Sequence, residues 1–133
     1  MRLNISHFRV SWLCGVAFLI LSAGLLFTPQ IVFAILGLES VVSADVIARR
    51  AGTLFVGLAY LVIFTAAHPR SATRDRIDEA IIILLVALAS VGIVEWLRDR
   101  VGSGILIAVT FEILLAALLW TARVFPQAEE QSQ

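Results

Sequence analysis

Four long apolar runs organise the chain. Val10–Phe27 is interrupted only by Ser11, Cys14, Gly15, Ser22 and Gly24. A second run extends from about Val46 to Ala67, a third is Ala80–Trp96, and a fourth is Gly104–Trp120. The hydrocarbon core of a bilayer is about 30 Å thick and an α-helix rises about 1.5 Å per residue, so a span takes about 20 residues. Each run fits that length. Lipid offers no hydrogen bonds to the backbone, so each run is predicted to be an α-helix that satisfies its own N–H and C=O groups. The predicted fold is therefore an all-α integral membrane bundle of four transmembrane helices. It forms one domain over residues 1–124, and the polar tail 125–133 is expected to be disordered.

The connections carry helix-end signals. His68–Pro69 should close the second span, because the residue before a proline resists the α region. Asp75 is a candidate cap for the third span and Ser103 for the fourth. Trp12, Trp96 and Trp120 sit near span ends, where indole rings favour the interface. Between the first two spans, Thr28 is a natural N-cap, Pro29 suits the first helical position and Gly37 suits C′. The IVFAIL between them is too short to cross a membrane. It predicts a short interfacial helix between helices 1 and 2, lying on the bundle end or forming a lid over a cavity. The first run is longer than the 7–15 residues usual in a signal peptide and lacks an A-x-A site, so it is expected to remain as the first span.

Composition excludes the soluble classes. The 133 residues are 60% hydrophobic and 15% charged, with mean hydropathy +0.98. Soluble domains are about 45–50% apolar and about 25% charged. Ten arginines balance ten acidic residues with no lysine, which leaves no basic footprint for nucleic acid. Cys14 is the single cysteine and is read as a small apolar core residue, without disulfide or CxxC chemistry. His7 and His68 flank the spans without neighbours at metal-ligand spacing, so no metal site and no cofactor are expected. Arg2, Arg9, Arg70, Arg74, Arg76 and Arg123 fall on one side of a four-span layout, and Arg49, Arg50, Arg98 and Arg100 on the other. The excess predicts that both termini are cytoplasmic.

Glu112 is the outstanding polar residue, midway along the fourth run. A carboxylate at that depth costs about 2.5–3.5 kcal/mol on insertion scales and should face protein or a water-filled cavity. Ala108 and Ala116, one turn away on either side, would let another helix approach closely. Structural pairing, ligand contact and proton-coupled chemistry all remain open for it. Arg49 and Arg50 lie in the first turns of the second span and either snorkel to the headgroups or point inward. Spans two and four start on the same side, and Arg50 and Glu112 fall within about 6 Å in depth, so an Arg50–Glu112 pair is expected. Glu95, Arg98, Glu39, Asp99 and Arg100 share that side and predict a polar vestibule leading toward Glu112.

The order of a first helix, FTPQIVFAILGLE, ADVIARRAGTLFVGLAY, a short basic loop and a fourth helix with FEILLAALL resembles small bacterial four-helix membrane proteins of unknown function. The layout is similar to the DoxX-like group. The resemblance covers about residues 8–124, and its matching points are Pro29, Gly37–Leu38, Arg50, Gly52 and Glu112. It implies a multi-pass protein of the bacterial inner membrane and supplies no catalytic residue. Three functions follow as expectations. The first is an accessory or assembly factor, or a small subunit of a larger membrane complex. The second is a binder or transporter of a small molecule or lipid, using a site of Glu112, Arg50, Arg49 and Glu95. The third is a membrane enzyme acting on a lipid-like substrate. The expected partners are the bilayer itself and a larger membrane complex or a homo-oligomer.

Overall fold

A computed structural model describes residues 7–124; Arg2 and the tail 125–133 lie outside the described residues. The described chain is all-helical, in the order α1 (His7–Phe27), α2 (Pro29–Leu36), α3 (Val42–Ala66), α4 (Ala72–Leu97) and α5 (Ile105–Val124). Four of these, α1, α3, α4 and α5, are long and apolar enough to cross a membrane. The protein is a multi-pass membrane protein built as a four-helix bundle, with the short α2 between its first two spans.

The observed helices are longer than the apolar runs. At about 1.5 Å per residue, the 25 residues of α3 and the 26 of α4 extend for about 38 Å, more than the hydrocarbon needs. Their first turns therefore carry charge and stand outside the apolar layer. The largest departure is α4, which starts at Ala72 and not at Ala80. Asp75 does not cap it. Ser71 does, its hydroxyl accepting from the Arg74 N–H at 3.2 Å, and Asp75 sits inside the first turn, where its charge favours the helix N-terminus. Apolar periodicity cannot register turns that project into water, which is why this extension was hidden.

The spans pair as α1 with α3 and α4 with α5. The pairs join through α1 with α5 and α3 with α4, so α3 and α5 stand at opposite corners and do not touch. The α1–α3 seam is made of small residues. Gly15 faces Ile63 and Ala59, and Gly52 lies against Leu25, Leu26 and the Ser22 carbonyl. The buried Ser22 hydroxyl donates to the Gly52 carbonyl at 2.8 Å. Small residues bring backbones close, which is how helices gain packing energy where lipid removes the hydrophobic driving force. Leu13, Leu19 and Ile20 of α1 point outward, while Phe18 and Leu25 turn inward. Around this seam the core collects Val10, Cys14 and Phe18 of α1, Val62 of α3, Leu85 of α4 and Leu119 of α5.

Helix α2 closes one end of the bundle and touches α1, α3 and α5. Pro29 occupies its first turn as expected. Thr28 stands at the cap position, but its hydroxyl donates back to the Gly24 carbonyl at 3.3 Å and caps nothing. Gly37 ends the helix at φ 72°, and the Leu38 N–H reaches the Phe33 carbonyl at 2.8 Å, completing a Schellman turn.

Candidate functional site

Glu112 lies along the α4–α5 seam in a cleft of about 210 Å³ that opens to one side. The cleft follows about two turns of each helix, from Leu88 to Glu95 on α4 and from Ile105 to Glu112 on α5, or about 10 Å. Its walls are apolar. Gly92 makes the close approach possible, since a Cβ there would meet Val109 Cγ2 at 2.7 Å. Glu112 forms its inner end, half-buried and without a hydrogen-bond or ion-pair partner among the described residues.

Glu95 lines the cleft near the end of α4. Arg100 Nη1 lies 3.3 Å from its Oε2 and Arg98 Nη1 lies 3.8 Å from its Oε1. These arginines are positioned by the end of α4, where Asp99 takes φ 54° and the Arg100 N–H bonds the Glu95 carbonyl at 3.1 Å. The structure thus brings to one apolar-walled cleft a carboxylate paired with arginines, Glu95, and a lone one, Glu112.

Arg49 and Arg50 lie elsewhere. Both are exposed on α3, without an acidic partner among the described residues. The expected Arg50–Glu112 pair does not form within the chain. Their depths do match, but α3 and α5 are diagonal in the bundle, and depth alone carries no information about which helices are neighbours. Asp45, four residues before Arg49, instead accepts from Gln30 and from Ser40. The Gln30 bond ties α3 to α2, and the Ser40 bond holds the connection between them.

The opposite end of the bundle holds a polar cluster that sequence spacing did not reveal. His7 Nε2 lies 2.7 Å from Asp78 Oδ2, and their side chains are only 10% and 3% exposed. This corrects the reading of His7 as a residue without a carboxylate neighbour. Ser11, one turn below His7, is fully buried with its hydroxyl 3.4 Å from both ring nitrogens. A Ser-His-Asp relay needs the serine and the carboxylate on opposite ring nitrogens with the serine open to substrate. Here the serine favours neither nitrogen and has no exposed surface, so the cluster is packing and not a catalytic triad. Arg74, 8% exposed, donates from Nη1 to the His68 carbonyl at 3.0 Å and so ties the start of α4 to the chain just beyond the end of α3. Glu79 bridges Arg76 at 3.0 Å and Arg123 at 3.4 Å, tying α4 to the end of α5. The one available sequence signal was the i, i+4, i+7 spacing of His7, Ser11 and Cys14, which places three polar or small side chains on one face of α1.

Among the described residues, no group of three or more His, Cys, Asp or Glu side chains is close enough together to hold a metal ion. No protein-family model, no curated protein and no solved structure matches the chain.

Proposed function

We propose that this protein acts by lateral association within the bilayer, as an accessory or assembly factor or a small subunit of a membrane complex. The observation that carries this reading is Glu112. A half-buried carboxylate in a cleft open to the bilayer, without an internal partner, is costly where it stands and becomes favourable when a neighbouring helix brings a donor or a cation. The size of the cleft supports a side chain over a free ligand. Its volume of about 210 Å³ is below the about 300–1,000 Å³ of small-molecule pockets. The reading places the protein in a bacterial inner membrane with both termini cytoplasmic, on the strength of the arginine distribution and of the layout it shares with DoxX-like proteins.

The test is mild solubilisation from native membranes followed by mass analysis of the intact particle, for the wild type and for Glu112→Gln. The wild type should carry a second polypeptide, another protein or a second copy of this chain, and Glu112→Gln should lose it. A lone protomer in both samples would overturn the reading. A rise in melting temperature with small molecules, abolished by Glu112→Gln, would replace it with the binder reading.

A further inference from the structure

We infer that the helix entering the α4–α5 cleft belongs to a second copy of this chain, with Arg50 of one copy paired to Glu112 of the next. This rests on the reading of the cleft as a docking site and names its occupant. Charge complementarity carries the argument. Glu112 is an acid without a cation, and on the α2 end of the bundle Arg49 and Arg50 are the arginines without an acid; Arg98 and Arg100 are held by Glu95.

The depths agree. Arg50 is eight residues into α3 and Glu112 seven into α5, about 12 Å and about 10 Å from helix starts at the same end of the bundle. Two copies inserted with the same orientation therefore present the two groups at one level.

The exposed face of α3 suits a helix contact. Val46, Arg50, Leu54 and Gly57 recur at helical spacing along it; Val46 and Leu54 are well exposed, and a Cβ on Gly57 would meet nothing within 4 Å. The glycine lies about two turns along α3 from Arg50 and gives a point of close approach from which the arginine can reach across. The guanidinium fork matches a carboxylate with two parallel hydrogen bonds, and the apolar walls of the cleft suit the arginine stem.

The topology makes the junction head-to-tail. Helices α3 and α5 stand at opposite corners about α4, so the exposed α3 face and the α4–α5 cleft are different surfaces of the protomer. Each copy offers its α3 face to the cleft of the next, a heterologous contact that closes into a ring or continues as a row. Within one chain no ion pair joins Arg50 to Glu112 among the described residues.

Full-length protein in native membranes tests this with cysteines. In a Cys14→Ala background that keeps Arg50 and Glu112, the double variant Val46→Cys with Val91→Cys, one on the exposed α3 face and one on the cleft wall, should give a covalent dimer with a short bis-thiol cross-linker, at least tenfold more than either single variant. Charge exchange gives an independent measure with two differently tagged copies. Glu112→Arg and Arg50→Glu should each fail to pair with themselves, and co-expression of one with the other should restore both junctions. No covalent dimer from a double variant that elutes and melts as the wild type does, or no rescue by charge exchange when both variants insert, overturns the second-copy assignment. If Glu112→Gln still releases a different polypeptide in that case, the docking reading stands and only its occupant changes. If it releases nothing, both fall.

Discussion

His7 Nε2 and Asp78 Oδ2 meet at 2.7 Å across 71 positions of sequence, joining the first turn of α1 to the second turn of α4. The two belong to different helix pairs, α1–α3 and α4–α5, which otherwise meet along narrower contacts. A buried imidazole–carboxylate hydrogen bond of this kind stabilises little relative to apolar groups of the same shape, but removing one partner strands the other. His7→Ala leaves Asp78 buried without its partner and should cost about 3–5 kcal/mol. Replacing both with leucine should cost less than that single change. Unfolding of purified protein in detergent, followed by loss of helical signal, checks the order of the two. A single variant as stable as the wild type would mean that water or residues outside 7–124 already satisfy Asp78.

The α2 end is fastened to the start of α5 by close backbone contacts. The Gly102 N–H donates to the Gly37 carbonyl at 3.2 Å, and a Cβ on Gly37 would meet Gly102 Cα at 2.7 Å. Gly37 also sits at φ 72°, where an L side chain costs about 1–2 kcal/mol. A Cβ on Gly104 would run into the Ile35 carbonyl oxygen. Neither neighbour can rotate away as a side chain would. Gly37→Ala and Gly104→Ala should each lower the melting temperature, and both should increase protease cleavage near Leu38–Val41 as α2 lifts from α5. Asp99→Gly is the contrasting case. Asp99 holds φ 54° without a required side-chain contact among the described residues, so glycine there should leave stability unchanged or raise it by up to about 1 kcal/mol.

The sequence was informative where lipid imposes the rule. Each apolar run became a span because hydrocarbon leaves the backbone one solution, and Pro29 and Gly37 marked α2 because their φ preferences act locally. Pairing between helices was not legible. Nothing in the run of α3 says that Gly52 lies against Ser22 and Leu25 of α1. The Arg50–Glu112 expectation failed for the same reason: depth is a one-dimensional quantity, whereas neighbourhood in a bundle is two-dimensional. His7 and Asp78 stayed hidden because Asp78 looked like part of a solvated loop until α4 was seen to begin at Ala72.

The α1–α3 seam should respond to volume more than to polarity. Ser22→Ala removes one buried hydrogen bond of 2.8 Å. In membrane bundles such bonds average about 0.6 kcal/mol, so the loss should be small. Gly52→Val inserts bulk where a Cβ already lies 3.0 Å from Leu26 Cγ and 3.1 Å from the Ser22 carbonyl oxygen. Overpacking of a tight site costs about 1–3 kcal/mol. Thermal melts of the two variants in one detergent should place Gly52→Val well below Ser22→Ala. The reverse order would mean that hydrogen bonding, and not close approach, holds the pair.

Glu112 separates the stability of the chain from its association. Within one protomer the carboxylate has no described partner, and its position near the middle of α5 makes it a liability of about 2.5–3.5 kcal/mol on insertion scales. Glu112→Leu removes that cost and adds an apolar side chain to a cleft lined by Leu88, Val109 and Ile105. A protomer diluted in detergent should therefore melt higher with Glu112→Leu than with the native residue. The same substitution should lower the fraction of associated particles in membranes, because the anion that a neighbouring cation would meet is gone. The two measurements are expected to move in opposite directions, which a purely structural glutamate would not do. A fall in the melting temperature of the isolated protomer would show that Glu112 is satisfied inside its own chain, and the cleft would then be a packing feature of the α4–α5 pair.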